Sequence, residues 1–257
     1  MRQIPDDNLC YPILLTVGTS TGSGFFLNTG TGIFLITAKH VLYDPQTGIL
    51  HATQAKITSY PKEHADTEKN IFILDLPVLF NTGEIKFDST LDIAAIRVGI
   101  NNPSNPDRTT LSSGVTMEQI AQTGIVSVAL NNVRLLSDVM VSNDVFVMGY
   151  PISLGLANIP QLDYSKPLIR TGVVAGKNNT LRSIILDCPV YPGNSGGPVI
   201  EVERDGLEYK FRIIGVVIQL VPTIAQSIHP GIPGVVVNSG YSVAASMDGV
   251  LALVHQF

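Results

Sequence analysis

The sequence is poor in cysteine, tryptophan and charge, and each shortage narrows the range of possible proteins. Its 257 residues include two cysteines, Cys10 and Cys188, and no tryptophan. The chain begins with Met, and its N-terminal residues, with acids at Asp6 and Asp7, do not make a secretory signal, so we expect a complete chain that works in the cytoplasm. A chain of that kind more often keeps its cysteines as buried thiols, so we expect no disulfide.

Charged residues and long apolar runs are also scarce. Charged residues make up 14% of the chain, the net charge is −5, and no run of Lys or Arg occurs. Neither nucleic acid nor a membrane is therefore expected as a partner. The longest apolar run, residues 213–221, is shorter than the ~18 residues that span a bilayer. No His, Cys and Asp cluster has metal-ligand spacing, so we expect no metal and no cofactor.

Short β-prone segments separated by turns are abundant. With 45% hydrophobic residues, 23 glycines and 16 prolines, the composition is that of a compact, turn-rich chain. Strand patterns recur over residues 11–98 and again over 124–237, without the alternating helices that an α/β sheet requires. The sequence therefore predicts an all-β fold, with a pair of barrels and a C-terminal α-helix.

The same patterns divide the chain into four parts. We predict an N-terminal barrel at 1–100, a linker at 101–123, a C-terminal barrel at 124–240 and a terminal helix at 241–257. The linker contains a possible short helix at 115–121. Ser242 is a plausible N-cap of the terminal helix, because apolar residues after it recur near helical spacing.

A glycine-rich turn carries a candidate nucleophile. Ser195 lies within Gly193-Asn-Ser-Gly-Gly197, and glycines on both sides allow a turn that exposes a hydroxyl and aims successive N–H groups one way. A nucleophilic serine beside an oxyanion hole needs both features. An ordinary surface turn could have the same composition, so this segment alone does not decide the function.

Two further residues complete a possible catalytic triad. His40 follows an apolar segment that predicts a strand ending just before it, and Asp92 lies between apolar residues, where we expect a buried, paired carboxylate. In a triad the serine attacks, the histidine takes and returns its proton, and the aspartate fixes the histidine tautomer. Because Ser195 falls in the other half of the chain, a cleft between the halves is expected. Asp75 and Asp88 are weaker candidates for the acid.

Three segments resemble the motifs of the trypsin-like (chymotrypsin-fold) serine proteases. They are Thr37-Ala-Lys-His40, Leu91-Asp-Ile-Ala-Ala-Ile96 and Gly193-Asn-Ser-Gly-Gly-Pro198. The likeness is to bacterial HtrA-like and related trypsin-like peptidase domains, without a PDZ module, and it covers about residues 12–255.

The resemblance implies two six-stranded antiparallel β-barrels. It also implies a serine endopeptidase that works on a polypeptide through an acyl-enzyme. Ser195 would be the nucleophile, His40 the general base and acid, and Asp92 the group that orients His40. The backbone N–H groups of Gly193 and Ser195 would form the oxyanion hole. Asn194 stands where members activated by cleavage have an Asp, so no zymogen cleavage is expected.

Departures from the family pattern bear on specificity. Ile218 falls where relatives commonly have a Ser or Thr that donates to the triad aspartate, and Leu220 falls where trypsin has glycine. Pro189 replaces the acid that gives trypsin its Arg and Lys preference. With Val190, these residues are the expected substrate pocket, and they indicate a small or medium aliphatic P1 residue.

Two other functions remain open. A catalytically latent or inactive protease-fold module could bind peptide and be switched by a regulatory protein partner. A serine esterase of the α/β-hydrolase type also carries G-x-S-x-G, with His229 or His255 downstream, but its serine must lead into a helix. The segment 199–203 alternates like a strand instead. His51 and His64 are expected to be solvated.

Overall fold

The computed structural model describes residues 4–61, 68–121, 124–152, 159–206, 208–225 and 234–257. These residues form two curled antiparallel sheets and a short C-terminal helix. The architecture confirms the expected chymotrypsin-like double barrel. None of the helices in the described ranges is long and apolar enough to cross a membrane. His64 and His229 lie outside the described residues.

The first sheet contains ten strands in the described part of the chain: β1 (Pro12–Val17), β2 (Ser20–Asn28), β3 (Gly32–Ala38), β4 (Gln54–Ser59), β5 (Asn70–Asp75), β6 (Ile85–Phe87), β7 (Ile93–Asn102), β8 (Asn105–Leu111), β9 (Val115–Gln119) and β10 (Val128–Ala129). Their order in the sheet is β6-β7-β3-β2-β1-β4-β5-β9, with β8 paired to β7 and β10 parallel to β2. This sheet therefore has more strands than the six expected.

The second sheet closes into a barrel of six described strands, as expected. The strands are β11 (Asp144–Gly149), β12 (Leu168–Asn178), β13 (Ser183–Asp187), β14 (Pro198–Asp205), β15 (Glu208–Ala225) and β16 (Val235–Ser246). Their order around the barrel is β11-β12-β13-β16-β15-β14. The helices are α1 (Asp6–Leu9), α2 (Lys39–Leu42), α3 (Leu76–Asn81), α4 (Met247–Val254) and a 3-10 turn at Leu130–Asn132.

One apolar cluster joins the two sheets and the terminal helix. It includes Phe25 and Ile93 from the first sheet, Met148 from the second and Val250 from α4, all fully buried or nearly so. Burying a side chain of this size contributes about 1.5–3 kcal/mol, as an upper estimate. The two sheets are thus packed against each other, and residues at their boundary are held in place by both.

The segment expected to be a linker contributes strands to the first sheet. β8 forms a hairpin with β7, where Asn102 pairs with Asn105, and β9 pairs with β5. The helix expected at 115–121 is wrong, because pairing with β5 extends this segment into a strand, as tertiary pairing often overrides local propensity. The Asn- and Pro-rich composition marks the turn between β7 and β8.

Two other local expectations are wrong. The strand pattern predicted over residues 11–98 is interrupted at Asp75, where β5 ends and the carboxylate accepts from the Val78 N–H at 3.0 Å, which caps α3. Ser242 is not a helix cap: it lies inside β16, and its hydroxyl donates to the Cys188 carbonyl at 2.9 Å. Pairing of β16 with β15 continues to Ser246, so α4 begins later than expected.

Candidate active site

Neighbouring strands bring His40 and Asp92 together. β3 pairs with β7 so that Ala38 lies opposite Ile93, and α2 starts directly after β3. His40 is therefore on the turn that leaves β3, while Asp92 immediately precedes β7. The Lys39 N–H donates to the Asp92 carbonyl at 3.2 Å and ties the two chain segments. Residues 52 positions apart in sequence are thus neighbours.

Both oxygens of the Asp92 carboxylate are engaged by His40. Ring Nδ1 of His40 is 2.5 Å from Oδ2, and the His40 backbone N–H donates to Oδ1 at 3.0 Å. Because an ionised carboxylate can only accept, Nδ1 carries the proton in this contact and Nε2 is left as an acceptor. This is the tautomer that a general base requires.

Asp92 is less buried than expected. Its side chain is 36% exposed and that of His40 is 34% exposed. The neighbours Leu91 and Ile93 are buried, whereas Asp92 lies in the bend before β7 and its carboxylate faces the turn that carries His40. Among the described residues, the carboxylate receives hydrogen bonds from His40 alone. Ile218, which offers no donor, packs among the apolar side chains of both core clusters beside the first sheet.

The turn that carries Ser195 is held by the residue before it. Asn194 is 1% exposed, its Oδ1 accepts from the Tyr191 N–H at 3.0 Å, and its own N–H donates to the Tyr191 carbonyl at 2.9 Å. The Asn194 carbonyl accepts from the Gly197 N–H at 2.9 Å. The asparagine therefore closes the turn on itself with neutral hydrogen bonds. Ser195 at its apex is partly exposed.

The N–H groups of Gly193 and Ser195 find no acceptor among the described residues. The Pro192 carbonyl accepts from the Ile152 N–H at 3.1 Å, and a trans peptide aims the following N–H, that of Gly193, in the opposite direction. Gly193 has φ +96°, which favours glycine. Two unpaired donors on one turn match what a developing oxyanion needs.

Ser23, which the sequence reading missed, joins the first sheet to this turn. Its hydroxyl donates to the Gly193 carbonyl at 2.6 Å and accepts from the Tyr150 N–H at 2.9 Å. Its backbone N–H donates to the Ser195 carbonyl at 2.8 Å. Ser23 is fully buried, and its own carbonyl accepts from the Thr37 hydroxyl at 2.7 Å. The only sequence signal was a small residue between two glycines.

The serine turn lies against the end of β3. A Cβ added to Gly196 would come within 2.0 Å of the Ser23 carbonyl oxygen and 2.9 Å of the Ala38 nitrogen. Ser195 and His40 therefore lie at the same boundary between the sheets. Within the described residues, however, no hydrogen bond joins the Ser195 hydroxyl to the His40 ring. In ligand-free enzymes this contact is often long and tightens when substrate binds.

His51 is exposed and has one contact that the sequence did not indicate. Its Nε2 lies 3.0 Å from the His40 carbonyl oxygen and donates to it. The contact ties the segment after α2 to the helix that carries His40. It involves the His40 backbone and not the His40 ring.

Three of the four residues expected to form the substrate pocket, Val190, Ile218 and Leu220, have apolar surroundings. Val190 is 2% exposed within a cluster that also includes Val217 and has Leu220 packed against it. The Val190 carbonyl accepts from Asn238 Nδ2 at 2.6 Å. Burial raises the pKa of the neighbouring Cys188 thiol to about 11, which keeps that side chain neutral. Two cavities, of 310 and 720 Å³, lie elsewhere, on the first sheet and beside α4.

The double-barrel fold, together with a histidine–aspartate pair and a glycine-rich serine turn at the boundary of the sheets, defines the class of chymotrypsin-fold proteins. The sequence matches the family model described as the trypsin-like peptidase domain over residues 22–206. The chain belongs to this family. No curated protein matches the sequence.

Solved structures similar to this one include HtrA-type proteases. One is described as the HtrA-type protease AlgW with tripeptide, at 15% identity and a TM-score of 0.52, covering 96% of this chain and 60% of that chain. A serine-to-alanine variant of AlgW with tripeptide has 14% identity and a TM-score of 0.51, covering 96% and 59%. The chain thus spans about 60% of the length of these proteins, and at this identity the likeness shows the fold.

The fold also excludes the alternative of an α/β-hydrolase esterase. β14 starts at Pro198, directly after the serine turn, where an α/β-hydrolase would have a helix. Two antiparallel β-sheets replace the parallel sheet of that class. The interpretation as an α/β-hydrolase esterase is therefore wrong.

Proposed function

We propose that this protein is a serine endopeptidase. The observation that carries the proposal is the pair of unpaired N–H groups on the Ser195 turn, next to a histidine whose tautomer is fixed by Asp92. Membership of the trypsin-like peptidase family supports a protease. The tripeptide complexes of the structurally similar AlgW proteins fit a polypeptide substrate.

In the proposed mechanism the Ser195 hydroxyl attacks the scissile carbonyl carbon. Nε2 of His40 takes the hydroxyl proton, and the Asp92 carboxylate stabilises the resulting imidazolium through Nδ1. The carbonyl oxygen becomes negative and is stabilised by the N–H groups of Gly193 and Ser195. His40 then protonates the departing amine, which leaves an acyl-enzyme. A water molecule, deprotonated by His40, releases the acyl group and restores Ser195.

The proposed specificity is for a small or medium aliphatic P1 residue. Pro189, Val190, Ile218 and Leu220 would surround this side chain, and none of them carries a charge. A buried Lys or Arg side chain would find no carboxylate among these four residues. A panel of fluorogenic peptides that differ only at P1 tests this: kcat/KM should be highest for Ala, Val or Leu, and a preference for Arg or Lys would overturn it.

The chemistry is tested by labelling the purified protein with a fluorophosphonate, which reacts with activated serines. Wild type should be labelled, and both Ser195→Ala and His40→Ala should lose the label while keeping the same circular dichroism spectrum. Labelling that persists in Ser195→Ala would place the reactive group elsewhere and contradict the proposal.

A second candidate is a latent peptide-binding module that a partner switches on. The observation in its favour is that no hydrogen bond between the Ser195 hydroxyl and His40 is formed among the described residues. A well-folded wild type that resists the fluorophosphonate, yet binds peptide, would support this candidate over the constitutive enzyme.

A further inference from the structure

β15 and β16 continue beyond the barrel as a two-stranded ribbon, formed by residues 222–225 and 235–238. Within it Pro222 pairs with Asn238, and the pairing continues to Ala225 opposite Val235. Pairing of β14 with β15 stops at Val216, and pairing of β13 with β16 stops at Tyr241. Over the described residues, neither outer edge of the ribbon has a partner strand.

Most side chains of the ribbon are apolar and exposed. Ile224 is 64% exposed and its cross-strand partner Val236 is 68% exposed, while Val235 and Val237 are 65% and 40% exposed. The eight residues include no charged side chain. Native proteins usually protect open edges with charge or cover them, so an open, uncharged edge is a surface suited to another polypeptide strand.

The ribbon is continuous with the candidate active site. On the same strand, the Val217 carbonyl accepts from the Gly196 N–H at 2.7 Å, and the Val217 N–H donates to Gly197 at 2.9 Å. Ile218 and Leu220 follow, and from there β15 leads away from Ser195 into the ribbon. Asn238, at the base of the ribbon, donates to the Val190 carbonyl beside the proposed P1 pocket.

The position of His40 decides which part of a substrate would reach the ribbon. His40 lies in α2, directly after β3 of the first sheet, and must protonate the departing amine, so the substrate chain that follows the scissile bond lies on that side. The chain that precedes the bond would then lie along β15. With P1 near Ile218, a strand at ~3.3 Å per residue reaches Ile224 about six residues earlier in the substrate.

We propose that the ribbon binds the substrate segment about five to seven residues before the scissile bond, in extended form. Backbone groups of the substrate pair with an open edge, and aliphatic side chains of the substrate pack on Ile224 and Val236. The substrate class is therefore an extended or unfolded polypeptide with an aliphatic stretch upstream of the cut. This inference rests on the proposed function of the same site.

Binding to the full chain carrying Ser195→Ala tests the ribbon without cleavage. Two fluorescein-labelled decapeptides share the residues P4 to P1 and differ at P5 to P7, with Val-Ile-Val in one and Ser-Asn-Ser in the other. We expect the aliphatic peptide to bind about tenfold more tightly by fluorescence anisotropy. Adding Ile224→Thr and Val236→Thr, which keep β-branched shape, should remove that difference. Leu181→Thr, at a 62% exposed leucine outside the ribbon, should preserve it.

Kinetics on the otherwise wild-type chain separate this inference from the proposed function. A tetrapeptide substrate ending at P1 should show the same kcat/KM with and without the two ribbon substitutions, whereas the aliphatic decapeptide should lose about tenfold. Equal affinity for both decapeptides would overturn the inference and leave the protease proposal intact. So would a concentration-dependent dimer that the ribbon substitutions abolish, because the ribbon would then be an interface between two copies of the chain.

Discussion

The hydroxyl of Ser23 donates to the carbonyl of Gly193 at 2.6 Å, although the two residues are 170 positions apart. Gly193 carries one of the two N–H groups proposed to form the oxyanion hole, so a residue of the first sheet holds the turn of the second. The Tyr150 N–H donates to the same hydroxyl, which leaves Ser23 with both a donor and an acceptor partner. The oxyanion turn is therefore positioned by both sheets.

Ser23→Ala should reduce kcat with little change in KM. The substitution removes the hydrogen bond to the Gly193 carbonyl and leaves the buried Tyr150 N–H without its acceptor, at a cost of about 1–3 kcal/mol. We expect kcat to fall by roughly ten- to a hundredfold, less than the ~10²–10³ for loss of an oxyanion donor itself. Steady-state kinetics and the rate of fluorophosphonate labelling measure this.

The matched control for Ser23→Ala is Ser20→Ala on the same strand, β2, where no such contact exists in the described structure. It should keep wild-type kcat. Thermal unfolding of both variants separates an effect on the turn from general destabilisation. A Ser23→Ala enzyme that is less stable but retains full kcat would contradict the positioning role.

Asp92→Asn should lower kcat by about 10³–10⁴ while the protein stays folded. An amide can present a donor to His40 Nδ1, which favours the tautomer with the proton on Nε2 and removes the general base. Asp75→Asn is the matched control, because Asp75 caps α3 and asparagine is an equally good cap. Measured kcat values of the two variants test this assignment. If Asp75→Asn lost activity and Asp92→Asn kept it, Asp75 rather than Asp92 would be the triad acid.

Gly193→Ala should abolish labelling and hydrolysis. An added Cβ would come within 2.2 Å of the Tyr150 carbonyl oxygen, and φ of +96° is unfavourable for alanine. The backbone must move, and its N–H with it. Gly176→Ala in β12 is the control, since its Cβ meets nothing within 4 Å. Both are compared by kcat/KM and by circular dichroism; an active Gly193→Ala enzyme would exclude this N–H as a required donor.

The parts of the site that were predictable from sequence are those encoded locally. The serine turn and the segments around His40 and Asp92 are short motifs whose residue types follow from their chemistry. Ser23 was missed because its importance lies in contacts with Tyr150 and Gly193, from distant parts of the chain. A serine between two glycines in a strand gives no local sign of such contacts.

The errors in the fold have similar causes. The burial of Asp92 was overestimated because apolar neighbours were taken to surround it, whereas Asp92 lies in the bend before β7 and its partly exposed carboxylate faces the His40 turn. α3 could have been found, since Asp75 and Pro77 are ordinary signals of a helix start. β9 could not, because it is set by pairing with β5 rather than by its own sequence.

The final prediction concerns Cys188, which is fully buried next to Pro189 and Val190. Burial raises the pKa of its thiol from 9.0 to about 11, because the thiolate would be poorly solvated. At pH 8 only about 0.1% of this thiol is ionised, so native protein should resist iodoacetamide at Cys188 and retain full activity. In denaturant the same residue should be alkylated at an ordinary rate, as peptide mass spectrometry can show.

The raised thiol pKa also predicts the direction in which the stability of the protein changes with pH. The unfolded chain loses the Cys188 proton near pH 9, whereas the folded protein keeps it up to about pH 11. The free energy of unfolding therefore falls progressively as the pH rises between these values, whereas below pH 9 the contribution of this thiol is fully retained. The free energy of unfolding, measured with urea at pH 8 and at pH 10.5, should differ less between the two pH values in Cys188→Ala than in wild type. If the unfolding free energy of the variant fell with pH as much as that of wild type, or if native Cys188 were alkylated rapidly at pH 8, the thiol would not be neutral and buried as inferred.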